Sequence, residues 1–249
     1  MAAKNCPACG GTGWRVEQAS GGGRVAVPCA CTAGDREAQG RKRARIPARY
    51  SDRDFENFEI DPYDRQEAHA AAWSKSLKEA KFVVESFVRE YPAGSEHGLL
   101  LMGSCGVGKT HLAVAALKAL AARGHEVLFY DYRDLLKQIQ ASYNPESQTT
   151  EMEVLDPVLK TEVLLLDDLG SSKPSTWALE TVGHILSSRY NDNRVTIMTT
   201  NFLDAPREPG DEKLEQRVGK RVRSRLHEIC RTVNITAPDF RERIKRAWS

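Results

Sequence analysis

The sequence predicts a three-layer α/β domain built on a parallel sheet, preceded by a small cysteine-bearing module. Three observations carry this. Short apolar runs alternate with helical segments from residue 98 to residue 200, a glycine-rich octapeptide sits between the first run and the helix after it, and four of the six cysteines fall within the first 31 residues. Nearly continuous apolar strands are what a parallel sheet requires when helices cover both of its faces.

At 249 residues the chain holds one α/β domain of roughly 200 residues and a module of about 50. A content of 41% apolar, 28% charged and 7% aromatic residues is that of a globular protein and excludes a disordered or fibrous one. No stretch approaches the roughly 18 apolar residues of a membrane span, and Met1–Gly13 carries cysteines and glycines where a signal peptide has its apolar run. A cytoplasmic location is therefore expected. The net charge of +2 conceals three unlike parts: residues 1–50 hold 9 basic and 3 acidic side chains, 51–206 hold 15 and 24, and 207–249 hold 12 and 7. Basic ends fit a polyanion met through its phosphates; they also fit Arg-rich linkers and solvated helix faces.

Residues 1–34 form the module. Cys6-Pro7-Ala8-Cys9 and Cys29-Ala30-Cys31 are two close pairs, and Gly21-Gly22-Gly23 between them reads as a hairpin or loop tip. Four thiolates suit a tetrahedral Zn²⁺, which a module too small for its own core needs in order to fold, and a reducing cytoplasm favours zinc over disulfides. The second pair has one intervening residue where two are usual, so free or redox-active thiols are the alternative. Cys105 and Cys230 read as small filler residues. Residues 35–50, ending Arg41-Lys42-Arg43-Ala44-Arg45-Ile46-Pro47, read as a basic linker, and 51–249 as the main domain. Its first element is an amphipathic helix over 65–91, with Ala68, Ala72, Leu77, Ala80, Val84, Phe87 and Val88 at spacings of three and four, ended by Pro92.

Strands are expected at Gly98–Met102, Glu126–Tyr130, Val163–Asp167, Val195–Thr199 and near Thr232–Thr236. Helices are expected at Lys109–Arg123, Arg133–Tyr143, Glu151–Lys160, Ser175–Asn191 and Lys213–Leu226. Gly103-Ser104-Cys105-Gly106-Val107-Gly108-Lys109-Thr110 fits the phosphate-binding loop: glycines turn backbone N–H groups onto phosphate oxygens, Lys109 reaches the β- and γ-phosphates, and the Thr110 hydroxyl ligates Mg²⁺. Val163–Asp167 ends in Asp167 on the Mg²⁺ side, followed by Asp168 to orient or deprotonate the attacking water. An aspartate pair capping the next segment is the plainer alternative. A strand between these two motifs implies a P-loop fold with an additional central strand. Val195–Thr200 delivers Asn201, either to sense the γ-phosphate or hold the water, or to cap a turn before Phe202. Arg217, Arg221, Arg223 and Arg225 share the segment before Leu226, where an arginine can enter a neighbour's site or belong to a solvated basic face.

These residues, with His111-Leu112 after the loop, Leu169-Gly170 after the aspartates, Thr199-Thr200-Asn201 and Arg221-Val222-Arg223-Ser224-Arg225-Leu226, resemble the AAA+ ATPases of the DnaC/DnaI helicase-loader and IstB transposition-helper group over about 46–241. The cysteine module resembles the zinc-binding N-terminal part of DnaI-like loaders. The resemblance implies a nucleotide set of Gly103–Thr110 and His111, a Walker B pair at Asp167 and Asp168, a sensor at Asn201, an arginine finger acting in trans at Arg225, and a second sensor at Arg241 in Asp239-Phe240-Arg241. It also implies that Arg133–Leu159 faces single-stranded DNA in an assembled spiral. Two departures stand out: Asp168 replaces the Glu of many AAA+ proteins, and the region after Asn201 is short for a full helical lid.

The function expected is an ATP-dependent loader of a replicative DNA helicase onto single-stranded DNA, homo-oligomeric when ATP-bound, with Mg²⁺ at the nucleotide and Zn²⁺ in a module that grips the helicase. Two rivals remain: an IstB-like ATPase helper of a transposase, and a nucleotide-gated adaptor with little turnover, which Asp168 in place of Glu motivates.

Overall fold

Two five-residue strands, β1 (Trp14–Gln18) and β2 (Arg24–Pro28), pair as an antiparallel hairpin running from Trp14↔Pro28 to Gln18↔Arg24. Every β1 residue is exposed, so the hairpin buries no core of its own. The computed structural model describes residues 6–18, 22–29, 31, 40, 43–61, 67–93, 98–205 and 210–242. The hairpin belongs to a unit spanning Met1–Ala44; the rest forms a second unit, Arg45–Ser249. Gly21, Ala30 and the linker residues 35–39, 41 and 42 lie outside the described residues. The linker's last residues fall in the larger unit, where the Arg45 guanidinium lies 4.9 Å over the Tyr130 ring and the Tyr50 ring is 6.0 Å from that of Phe129.

In the larger unit the expected first helix forms as α1 (Ala70–Glu90), burying Leu77, Ala80, Val84 and Val88 along one face. Five strands then build one sheet: β3 (Gly98–Gly103), β4 (Val127–Asp131), β5 (Val163–Asp167), β6 (Val195–Thr200) and β7 (Cys230–Ile235). Their order is β4-β5-β6-β3-β7 and every pairing is parallel, so β6 is the additional central strand between β3 and β5. The connections carry α2 (Lys109–Ala122), α3 (Tyr132–Ala141), α4 (Glu151–Lys160), α5 (Thr176–Asn191), α6 (Leu214–Val218) and α7 (Lys220–Ile229). Leu100, Met102, Leu164, Leu166 and Met198 point into one core with α3, α4, α5 and α7. The alternate residues Leu99, Leu101, Leu165 and Ile197 are equally buried, as period-2 side chains are when a sheet is covered on both sides. Helix starts are fixed by side chains: Asp131 accepts from Arg133 N and Asp134 N, Thr150 and Glu153 form a capping box, and Ser175 accepts from Ala178 N.

One expectation is corrected. Lys213–Leu226 is not one helix: it breaks at Gly219, whose φ of 81° and ψ of 153° suit only glycine, into α6 and α7. No helix among the described residues is long and apolar enough to cross a membrane.

Candidate nucleotide site and cysteine cluster

The glycine-rich loop leaves β3 at Gly103 and enters α2 at Lys109, so the unpaired N–H groups of the first helical turn face the loop. Gly108, the N-cap, has φ 95°, and a Cβ there would lie 2.6 Å from Cε2 of Phe58. The Phe58 ring also meets His111 edge-on at 5.2 Å. His111 Nε2 donates to Asp54 O (2.8 Å), and Lys118 Nζ reaches Ser51 O and Asp54 Oδ1 (2.8 and 2.7 Å). The segment 51–58 is thus strapped along α2, and His111 holds the strap; burial pushes its imidazole below the usual value. Cys105 is exposed on the loop, so the filler reading fails there; Cys230 is buried, and burial pushes its thiol up to about 12.

The ends of β3, β5 and β6 converge on Lys109, which is 6% exposed. Its ammonium donates to Gly103 O (2.8 Å), Ser104 O (2.7 Å) and Asn201 Oδ1 (2.6 Å), so all three protons are placed. An ammonium only donates and a carboxylate only accepts, which fixes the Asn201 amide: Oδ1 faces Lys109 and Nδ2 donates to Asp168 Oδ1 (2.7 Å). Thr110 Oγ1 donates to Asp167 Oδ1 (2.9 Å), as does Thr199 Oγ1 (2.6 Å). Asp168 sits at φ 60°, a left-handed conformation costing about 1 kcal/mol that its amide and carboxylate bonds hold in place. Burial brings the Lys109 amine down to about 8, against the opposing charges of Cys105, Asp168 and Asp167. Burial also raises the Asp167 carboxyl, while the Thr199 and Thr110 hydroxyls pull it back.

This donor set fits Mg²⁺ and a polyphosphate. A carboxylate and a hydroxyl already bonded to each other can share one hard cation, which would neutralise phosphate charge there. A buried ammonium aimed at loop carbonyls has hydrogen bonds to redirect to phosphate oxygens.

The other expected residues are dispersed. Arg217 is buried and donates to Gly170 O and Ser172 O (2.8 Å each), and Arg223 is buried against Asp204; both tie loops to helices, so neither is a free basic face. Arg225 remains half-exposed, bonded to Glu228 (3.0 Å) and lying 5.2 Å over the Tyr190 ring. Arg241 sits beside the loop: Phe240 N donates to Gly106 O (3.2 Å), the Asp239 carboxylate packs on Gly106, and Arg241 Nε lies 3.5 Å from Asp239 Oδ1. Sequence reasoning missed Phe58 and gave no role to Thr199 or Asp239, although both lie inside motifs that it quoted.

In the smaller unit the Sγ atoms of Cys6, Cys9, Cys29 and Cys31 all lie within 4.8 Å of one another, Cys6–Cys29 at 3.7 Å and Cys9–Cys31 at 3.5 Å. A tetrahedron with Zn–S of about 2.3 Å has S–S edges near 3.8 Å, so the four thiols fit that ion. Burial opposes ionisation of Cys9, but the Gly13 N–H, the Cys31 thiol and the Gly11 N–H outweigh it and bring the thiol down to about 6, ready to ligate.

A profile of the family described as IstB-like ATP binding protein matches residues 52–247. The replicative helicase loader DnaC of Escherichia coli K12 is 26% identical over 172 residues, 69% of this chain and 62% of that protein. The replicative helicase loader DnaI of Bacillus subtilis is 31% identical over 121 residues, 48% of this chain and 38% of that one. The chain thus spans at most about three-fifths of these relatives. A crystal structure of the DnaC helicase loader superposes with a TM-score of 0.59 at 32% identity, covering 76% of this chain and 100% of that one. With the phosphate loop, its acids and the central strand in place and the profile covering most of its length, the chain belongs to the IstB-like ATP-binding protein family and is homologous to the DnaC/DnaI helicase loaders.

Proposed function

We propose that the protein is an ATP-dependent loader that seats a replicative DNA helicase on single-stranded DNA. The observation that carries this reading is the circuit Lys109–Asn201–Asp168 beside Thr110–Asp167, which connects a phosphate-binding amine to a water-handling acid through one amide. With ATP, Lys109 exchanges its loop carbonyls for β- and γ-phosphate oxygens, and Thr110 and Asp167 hold Mg²⁺. Asp168 takes a proton from the water attacking the γ-phosphorus as the bond to the β-phosphate oxygen breaks. Asn201, bonded to both sides, registers the change. Arg225, half-exposed and held by a surface ion pair and the Tyr190 ring, completes the site of a neighbouring copy.

Residues 1–34 serve as a zinc module gripping the helicase, 35–50 as a basic linker, and 51–249 as the ATPase domain. Single-stranded DNA is met by α3, α4 and the start of α5. There Tyr143, 50% exposed, and Trp177 stand edge to face at 6.3 Å, and the same region carries exposed Arg133, Lys137 and Lys173. Aromatic faces beside cations stack bases without reading sequence.

The test is reconstitution with the replicative helicase of the same cell on a single-stranded circle bearing an annealed oligonucleotide. ATP-dependent stimulation of strand displacement, lost in Lys109→Ala, is expected; no helicase binding and no stimulation would end the reading. Membership of the IstB-like family motivates a second reading, a transposase helper. Capture of a transposase in place of the helicase by the full chain would establish it. Phosphate release no faster than in Lys109→Ala would support the adaptor instead. The module should hold about one zinc per chain, lost in Cys9→Ser.

A further inference from the structure

The parallel ladder between β5 and β6 ends at Leu166↔Met198, yet the two segments stay tied for three more residues. Thr199 Oγ1 accepts from Asp168 N (2.9 Å) and donates to Asp167 Oδ1 (2.6 Å). Thr199 O accepts from Leu169 N (2.8 Å), and Thr200 Oγ1 donates to Leu169 O (2.8 Å). A hydroxyl has one proton to give and lone pairs to receive with, so the single Thr199 oxygen serves both acids at once. It does so 1% exposed, with no water in competition.

The bond to Asp168 N matters because the chain turns there at φ 60°, a conformation that persists only where the surroundings over-determine it. That turn sends the Asp168 carboxylate to Asn201, whereas the Asp167 carboxylate goes to Thr110. Two adjacent aspartates therefore face two different partners, and one buried hydroxyl stands at the point where they part.

We infer that Thr199 is a positioning residue for the nucleotide site: its hydroxyl assigns Asp167 to the cation and Asp168 to the attacking water. Both hydroxyl donors land on Asp167 Oδ1, which leaves Oδ2 for the cation or its water shell. The inference rests on Asp167 and Asp168 being the acid pair of an ATP site.

Thr199→Val removes the hydroxyl at nearly constant shape, and Thr199→Ser keeps it. The probe is a fluorescent ADP analogue, titrated into the full chain in EDTA and across a Mg²⁺ series, alongside steady-state ATP turnover. In Thr199→Val the Mg²⁺ concentration for half the gain in affinity should rise about tenfold, as for other groups that orient a metal ligand. Affinity in EDTA should stay put, kcat should fall more than KM rises, and Thr199→Ser should restore both. A wild-type Mg²⁺ midpoint and kcat in Thr199→Val would overturn the inference, as would a serine variant no better than valine, since packing alone would then explain the loss. Wild-type turnover no faster than Lys109→Ala would refute hydrolysis and leave Thr199 judged by the Mg²⁺ midpoint. A wild type whose affinity ignores Mg²⁺ would overturn both.

Discussion

The two ends of the central sheet each bury a cation, and they use it differently. At the N-terminal end Arg189 is 0% exposed and donates through Nε to Thr196 Oγ1 (2.9 Å), through Nη1 to Val158 O and Thr161 O (2.7 and 2.9 Å), and through Nη2 to Glu162 O and Val195 O. At the C-terminal end Lys109 is equally satisfied, by two loop carbonyls and the Asn201 amide. Satisfaction of donors does not separate structure from function; what the acceptors connect to does. The acceptors of Arg189 are fixed points at the end of α4 and the starts of β5 and β6, and they lead nowhere further. Those of Lys109 are two loop carbonyls, which a phosphate can replace, and an amide that continues to Asp168.

The contrast breaks most easily at Arg189. Arg189→Met removes five guanidinium hydrogen bonds, four of them to backbone carbonyls, and should cost about 4 kcal/mol of stability by chemical denaturation, with nucleotide affinity of the folded fraction unchanged. Lys109→Met should do the reverse. Nucleotide affinity should fall about a hundredfold, measured with the fluorescent ADP analogue, while the stability of the free protein shifts by only about 1 kcal/mol, because the buried ammonium is itself disfavoured. An equal loss of stability in both variants would erase the distinction.

The same burial gives a pH signature. The Lys109 amine titrates at about 8 in the free fold against an ordinary 10.5, so between these values the unfolded chain binds more protons and stability rises with pH. A bound phosphate requires the protonated form, so nucleotide affinity should be flat below about pH 8 and fall by up to tenfold per unit above it, with proton uptake on binding. Calorimetric titration in buffers of different ionisation enthalpy measures that uptake. The smallest effect asks how far the C-terminal end extends its function past the nucleotide. Trp177→Ala, on the helix after the Asp168 turn, should weaken single-stranded DNA binding by about 1 kcal/mol, roughly fivefold, and leave nucleotide affinity alone.

Much of this was legible in the sequence because the chemistry admits few residue types. The loop glycines, Lys109, Thr110 and the acids ending an apolar run could be placed by type and spacing, and the alternation of elements placed the parallel sheet and its extra strand. Other features were hidden for physical reasons. A threonine in a strand is what β-propensity would put there anyway, so Thr199 looked ordinary. Phe58 lies in an irregular segment some fifty residues before the glycine it supports. Four arginines on a supposed single helix looked alike, until the break at Gly219 and the loops at Gly170 and Asp204 buried two of them. Arg189 carried no motif because its partners are backbone carbonyls, which every sequence has.

The central claim is that Asn201 couples the phosphate-binding Lys109 to Asp168. Phosphate release by Asn201→Ala, measured with saturating ATP, Mg²⁺ and single-stranded DNA beside its nucleotide affinity, tests it most directly. Affinity close to wild type and release slower by about a hundredfold are expected, as when one preorganised donor is removed from a reacting centre. Release at the wild-type rate, or a loss confined to affinity, would contradict it.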